Sequence, residues 1–328
     1  MLKTRRFLQI LTILLAPAVV NAADPGLLRL VMPDAKVIAG LQVDSTRNSL
    51  FGQFVLSHMQ LDDEGFKKFV ADTGFDPRRD LREIVMASNW ESAIPQSRWL
   101  VLAKGQFDAS RIRQAVQANG RSVSSFQGVE IYPFSGRAKT DVENALAILD
   151  GSTGVMGDIG SVQAAVARQQ ADTPANSQLL GKVRDVSAKN DFWFATLVPL
   201  SEFAASMPDP NVSNVMKGNL LTAISQATGG IRFGTTVTIS AEAVTRSDKD
   251  AQALVDVVKF VVNMLQLNRQ NDAVAGQVAS LLDTLDTRTN GNVMSMSLAI
   301  PEQQLEQIIG SAPRPNRAAP KKAAPQAN

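Results

Sequence analysis

The segment at residues 66–88 constrains the backbone of this chain more than any other stretch of the sequence. Gly74 is placed to end a helix, because glycine adopts the left-handed backbone conformation at little steric cost. Asp76 followed by Pro77 then predicts the N-cap and the first residue of a second, short helix. Residues 83–88 contain β-branched side chains that favour a strand. The apolar side chains that precede the glycine recur at helical spacing: Phe66, Phe69 and Val70.

The rest of the chain repeats one order of predicted elements in two halves. Each half is predicted to contain a strand, helices, a short helical turn, two strands, a helix, a hairpin and a final helix, and the first half has an additional hairpin. A polar stretch at residues 171–190 separates the halves. The pattern therefore predicts an α+β fold with two similar antiparallel sheet-and-helix domains, 23–175 and 190–310. Residue identity between the halves is negligible, so an ancient duplication and a chance recurrence of common α+β parts both remain open.

Short patterns give further local predictions. Asp108 is predicted to cap a helix that ends at Gly120, and Ser161 to cap another. The glycines at 229–230 are read as a turn after a helical region, and the Asn-Gly pair at 290–291 as the turn of a hairpin.

The first 22 residues have the pattern of a secretory signal peptide. A basic segment is followed by an apolar run at residues 7–20 and by the small-residue cleavage site Val20-Asn21-Ala22, with cleavage after Ala23 as the shifted option. The run is too short for a membrane span, which needs roughly 20 apolar residues. We therefore expect an exported protein, periplasmic or extracellular, that does not span the membrane after cleavage. A twin-arginine route is the alternative for Arg5-Arg6, although the residues expected after the pair are displaced.

Charge is distributed unevenly along the chain, which has a net charge of +2. Without residues 1–22 it carries 30 basic and 31 acidic residues, and without the tail at 311–328 as well it carries 26 and 31. The tail is rich in proline, alanine and lysine and is predicted to be disordered. It is either a basic arm for an anionic envelope component or an inert solvated tail. The chain contains no cysteine, which excludes disulfides, thiolate metal sites and a thiol nucleophile.

Two parts of the sequence together resemble a family of uncharacterised exported bacterial proteins. They are Pro33-Asp34-Ala35, ahead of the first predicted strand, and residues 73–81, which read Thr-Gly-Phe-Asp-Pro-Arg-Arg-Asp-Leu. Domains of unknown function in other bacterial envelope proteins have a similar turn. The resemblance covers most of the mature chain and implies export and a two-part fold, but no activity and no functional residue.

No residue pattern assigns a catalytic, cofactor-binding or metal site. His58 is the single histidine, and no Gly-x-Ser-x-Gly elbow accompanies it, so neither a His-rich metal site nor a serine triad is predicted. Asp62-Asp63-Glu64 has the wrong spacing for a calcium loop and reads as a charged helix start. The glycine-rich segment at 229–234 precedes a strand, whereas a phosphate loop precedes a helix. A pair of distant carboxylates for hydrolysis stays open.

The helix predicted at residues 249–268 is the most apolar segment of the mature chain. Its wide apolar face and narrow polar stripe favour a core helix under a sheet, with a lid over an apolar groove as the functional alternative. Aromatic residues make up 5% of the chain, which is too few to suggest a nucleic-acid platform. We therefore expect a non-catalytic envelope protein that binds a protein or an envelope component. The alternatives are a carrier of an apolar ligand in a groove under the 249–268 helix and a hydrolase with dispersed carboxylates.

Overall fold

A computed structural model describes the parts of the chain on which the following account rests. They are residues 22–49, 52–53, 64–91, 97–134, 143–171, 175–203, 221–267 and 279–305. The predictions that concern residues 1–21, His58, the Asp62-Asp63 pair and the tail at 311–328 lie outside them. No helix within the described ranges has the length and apolar content needed to span a membrane.

The described strands form one sheet of twelve strands, antiparallel at every junction. Their order across the sheet is β11-β12-β10-β9-β8-β1-β2-β3-β7-β6-β5-β4. The α+β class with antiparallel pairing is thus confirmed. The strands are β1 (Val37–Gln42), β2 (Leu81–Ser88), β3 (Trp99–Gly105), β4 (Ser124–Phe126), β5 (Val129–Phe134), β6 (Asn144–Ile148), β7 (Thr153–Asp158), β8 (Phe192–Thr196), β9 (Ile224–Arg232), β10 (Thr236–Thr245), β11 (Asp286–Asn290) and β12 (Val293–Pro301).

The two halves meet at the antiparallel pair of β1 and β8. Moving outward from this pair, the strand order is β2, β3, β7, β6 in the first half and β9, β10, β12, β11 in the second half. The strands of the two halves correspond one to one in this order. The first half then adds the hairpin of β5 and β4. The repeated element order is therefore present in the sheet. Because both halves contribute neighbouring strands to that one sheet, the domain bounds 23–175 and 190–310 stay a prediction.

Helices cover both faces of the sheet. One face carries the main core, to which α1, α6 and α7 contribute Leu27, Val162 and Leu179 against strand residues such as Leu100. We call it the core face, and the other the groove face. The helices are α1 (Pro25–Leu30), α2 (Val43–Asn48), α3 (Glu64–Thr73), α4 (Pro77–Asp80), α5 (Ala109–Ala118), α6 (Ile159–Gln170), α7 (Ser177–Ser187), α8 (Leu200–Phe203) and α9 (Asp248–Leu267), with short 3-10 turns at Leu221–Ala223 and Leu282–Thr284.

Residues 73–88 fold as their sequence predicts. Gly74 has φ +73°, and its N–H donates to the carbonyl of Val70 at the end of α3. The Asp76 side chain accepts from the N–H of Arg78 and caps α4, with Pro77 as the first helical residue. Hydrogen bonds from the Arg78 guanidinium, more than this backbone bond, lower the pKa of Asp76. Asp108 caps α5 in the same way.

Two local predictions are wrong. The N-cap of α6 is Asp158, whose carboxylate accepts from the N–H of Ser161, so Ser161 lies inside the first turn. The glycines at 229–230 lie inside β9 and not in a turn, and residues 224–227, expected to end a helix, belong to the same strand. A side chain at Gly229 would collide with the ring of Phe194, 2.6 Å from an added Cβ, so this glycine permits a close approach within the sheet.

Candidate functional site

An apolar groove lies on the groove face of the first half, with a cavity volume of about 820 Å³. Its floor is the side of the strands that points away from the main core, because side chains alternate along each strand. On β3, for example, Leu102 points into the core and Val101 into the groove. The floor combines side chains of five strands: Ile84, Val101, Ala103, Met156, Leu146, Tyr132 and Phe134.

Two helices form the walls of the groove. α3 contributes Phe69 and Thr73, and α5 contributes Ile112, Ala115 and Val116. Three aromatic rings close one end: Phe75 stacks on Phe107 with ring centres 5.1 Å apart, and Phe69 meets Phe75 edge-on at 6.3 Å.

The α5 wall is tied firmly to its surroundings. Ile112 is buried with Tyr132 and Ile148 in a small cluster of its own. The Tyr132 hydroxyl donates to Glu130 at 2.7 Å, and Arg113 pairs with the same carboxylate at 2.8 Å. Burial is the main cause that raises the pKa of Tyr132, and the hydrogen bond to Glu130 is the second cause, so the hydroxyl stays protonated. This hydroxyl helps to position α5, because the Glu130 carboxylate that it contacts also pairs with Arg113.

The α3 wall is held mainly at its C-terminal end. Thr73 is the buried residue of α3, and the Thr73 hydroxyl donates to the carbonyl of Phe69 at 2.7 Å. Arg111 of α5 donates to the carbonyl of Ala71 at 2.7 Å and so links the two walls. Phe69 is 44% exposed although it lines the groove. The exposed part of this ring adds to the apolar surface at the rim of the groove.

Charged groups of the groove lie on the helical walls and at one end. Lys68 of α3 pairs with Asp72 at 2.6 Å, and Asn119 and Arg121 follow α5. A mostly apolar cavity of several hundred Å³ with a few polar groups has the composition of a small-molecule binding site. The arrangement can bury an apolar chain and leave a polar end near the rim.

The sequence predicts an apolar groove under residues 249–268, whereas the groove in the first half lies under α5. α9 and α5 occupy equivalent positions, each between the third strand of its half and the hairpin that follows. Leu254 and Val255 of α9 are buried with Ile224 and Met294, so its N-terminal part belongs to a closed core. The apolar groove formed by the described residues lies under α5, in the other half.

The C-terminal part of α9 exposes a second apolar face. Its side chains recur every three or four residues, and Phe260 and Leu267 are 67% and 82% exposed. The prediction of a core helix therefore holds for one part of α9 but not for this face. The face comprises Val257, Phe260, Val261, Met264 and Leu267.

A second cavity, of about 520 Å³, lies on the core face of the second half, beside α7. Hydroxyl groups of Ser240, Ser295 and Ser297 line it, together with Glu242 and charged residues of α7. No aromatic residue is among its lining residues, so it lacks a stacking platform for a sugar or base.

Glu83 is a buried acid that sequence analysis missed. It lies on the core face at 6% exposure, and burial raises its pKa from 4.5 to about 7. The alternation Glu83, Val85, Ala87 places all three on one side of β2 and was a signal available in the sequence. The hydrolase with dispersed carboxylates stays a prediction. In the described parts of the chain, no cluster of three or more His, Asp or Glu residues is arranged to hold a metal ion.

The chain shows little similarity to known proteins. No protein-family model matches the chain, and no curated protein matches it either. A solved structure, crystal form I of TP0453, aligns with 88% of this chain and 98% of its own at 11% identity and a TM-score of 0.48. A likeness at that level carries no argument about function, and the resemblance to exported proteins of unknown function stays a prediction.

Proposed function

We propose that this protein is a non-catalytic component of the cell envelope that binds the apolar part of an amphiphilic molecule, such as an acyl chain, between α3 and α5. The observation that carries the proposal is the groove of about 820 Å³ floored and walled by apolar side chains. Burial of an acyl chain in such a groove is favourable by about 0.8 kcal/mol for each methylene removed from water.

The two walls suit a site that must open and close. α5 is fixed by the Arg113–Glu130–Tyr132 contacts, whereas α3 is held at one end and has few buried side chains. Segments with few buried apolar contacts open at low free-energy cost. A ligand can therefore enter on the α3 side without disturbing the sheet.

Binding is tested with a delipidated protein and a dansyl-labelled undecanoic acid, displaced by palmitic acid. Ala115 lines the groove, and Ala118 is exposed on the same helix outside it. Ala115→Phe fills the groove, so we expect its affinity for the probe to fall at least about tenfold, equivalent to roughly 1.4 kcal/mol. Ala118→Phe adds the same side chain outside the groove and should bind like the wild type.

Two outcomes contradict the proposal: no saturable binding of the probe by the wild type, or equal affinity of the two variants. Melting curves of both variants show whether Ala115→Phe is folded. If it is not, the smaller change Ala115→Leu is measured in its place.

Export is part of the same proposal and has an independent test. The basic segment, the apolar run and the cleavage site at Val20-Asn21-Ala22 support it. Intact-mass measurement of the protein from its native host should show loss of residues 1–22, or 1–23 for the shifted site. Recovery of the full-length chain from the cytoplasm contradicts export.

The exposed apolar face of α9 favours a second function, binding of another envelope protein. Contiguous exposed apolar side chains on a helix are typical of a protein interface. Phe260→Ser removes the centre of this face, and Lys259→Ser changes its neighbour on the polar stripe. We expect only Phe260→Ser to reduce cross-linking to a partner that wild-type protein captures in intact envelopes. Equal cross-linking by both variants rejects the interface.

A further inference from the structure

The residues that follow the predicted cleavage site are bound into the body of the protein. Ala22 is exposed, but Ala23 is 4% exposed and belongs to the main core. The N–H of Ala23 donates to Oγ of Ser187 at 3.2 Å, and Ser187 is itself 1% exposed. The N–H of Asp24 donates to both carboxylate oxygens of Glu83, at 3.1 and 3.3 Å. The amino-terminal backbone thus enters a buried polar pocket between α7 and β2.

Glu83 lies among polar side chains in this pocket. It is the middle member of a row across three strands, with Gln42 of β1 on one side and Lys104 of β3 on the other. The charge of Lys104 lowers the pKa of Glu83 less than the hydrogen bonds from Asp24 and Gln42 do, and the Lys104 Nζ donates to Oγ1 of Thr153 at 3.1 Å. Ion pairs between Glu83 and the side chains that the structure describes are absent. A buried carboxylate without a paired charge is strongly disfavoured in its ionised form.

We infer that the α-ammonium group created by cleavage after Ala22 is a built-in counter-ion, seated at the position of the Ala23 nitrogen on Ser187 and neutralising Glu83. This inference depends on the proposed export, since an uncleaved chain has an uncharged amide at that nitrogen. Successive backbone nitrogens are within about 4 Å of each other, so the ammonium lies within roughly 7 Å of the Glu83 carboxylate. An opposite charge close to a carboxylate favours its ionised form.

The position of Ala23 also selects between the two cleavage sites. Cleavage after Ala22 leaves the buried methyl group of Ala23 and the bond to Ser187 in place. Cleavage one residue later would remove both. The cleavage site thereby becomes a modification site whose product, a positive charge, completes the folded protein.

The pH dependence of stability follows from the direction in which the pKa of Glu83 is shifted. In a chain without the ammonium, burial raises the pKa of Glu83 from 4.5 to about 7, so the folded state binds a proton more tightly than the unfolded state. Stability linked to this group is then present below pH 4.5 and is lost as the pH rises toward 7. The ammonium opposes that loss. The groups that face Glu83 are the Asp24 amide and carboxylate, Gln42 and Lys104.

The test compares residues 23–328 with a free amino terminus, the same chain with an Nα-acetyl group, and both forms of Glu83→Gln. Near pH 7.5, where an ordinary α-amine is largely protonated, acetylation should lower the melting temperature by about 2–4 °C. Near pH 5 the acetylated chain holds Glu83 protonated, so the difference should shrink. In Glu83→Gln, acetylation should make no difference, whereas Glu143→Gln, at an exposed acid, should respond like the wild type.

Equal melting temperatures of the free and acetylated wild-type chains near pH 7.5 overturn the inference, and so does an equal effect of acetylation in Glu83→Gln. If Glu83→Gln does not fold, the comparison of the two wild-type chains at the two pH values still decides. Both chains have defined termini, so these results are independent of whether the host cleaves the signal peptide, which the intact-mass measurement determines.

Discussion

At the scale of single residues, Gly74 and Gly120 form a matched pair. Both have φ +73° and follow a helix, α3 and α5 respectively. An added Cβ at Gly120 meets no atom within 4 Å, whereas at Gly74 it comes within 2.6 Å of the Arg111 guanidinium. The backbone strain of the two substitutions is therefore equal, and the contact with Arg111 separates them.

We expect Gly120→Ala to lower the free energy of unfolding by about 1 kcal/mol, from the left-handed conformation alone. Gly74→Ala should lose about 1 kcal/mol more, because Arg111 must release the carbonyl of Ala71. Urea unfolding of the two variants measures the difference. A Gly74→Ala protein as stable as Gly120→Ala means that Arg111 moves without cost.

At the scale of elements, the N-cap of α6 provides a direct test of the corrected assignment. The Asp158 carboxylate accepts from the N–H of Ser161 at 2.8 Å. Asp158→Ala should lower the free energy of unfolding by about 1 kcal/mol, and Asp158→Asn, which keeps an acceptor oxygen, by much less. Equal losses in the two variants, measured by thermal or urea unfolding, contradict a capping role for Asp158.

The same rules show how far the sequence leads at this scale. Asp76-Pro77 predicts a helix start and forms one. Asp24-Pro25 is the same signal and begins α1, which the sequence analysis does not predict because the pair lies beside the predicted signal peptide. Local signals of this kind act over three or four residues and are legible in the sequence. The groove is not, because its floor joins strands that are far apart in the chain.

The extra hairpin accounts for part of the groove floor in the first half. Tyr132 and Phe134 of β5 extend the floor beyond β6, whereas β11 is the outermost described strand of the second half. Likewise, the sequence shows that α9 has a wide apolar surface, but not which part of that surface is buried and which part is exposed. The division depends on which strands lie beneath it.

At the scale of the whole molecule, the main core crosses the boundary between the halves. Trp193 of β8 is fully buried against β1, where an added Cβ at Gly40 would lie 2.2 Å from the indole ring. Leu179 and Val183 of α7 belong to the same core as Leu100 of β3. Unfolding of one half therefore exposes the core of the other.

We accordingly expect one cooperative thermal transition, with a calorimetric enthalpy of unfolding equal to the van't Hoff enthalpy. Differential scanning calorimetry of residues 23–328 measures both quantities. Two resolved transitions would instead show that 23–175 and 190–310 unfold as separate domains.

The two outermost strands have a consequence for the behaviour of the protein at high concentration. A free strand edge presents unpaired N–H and C=O groups on which another chain can add a strand, the first step toward amyloid. Here β4 is three residues long, and β11 has the polar sequence Asp-Thr-Arg-Thr-Asn with an ion pair between Arg288 and Asp286. Short or charged edges resist such addition. Neither described edge of this wide sheet is therefore a good template for fibre growth, even at high protein concentration.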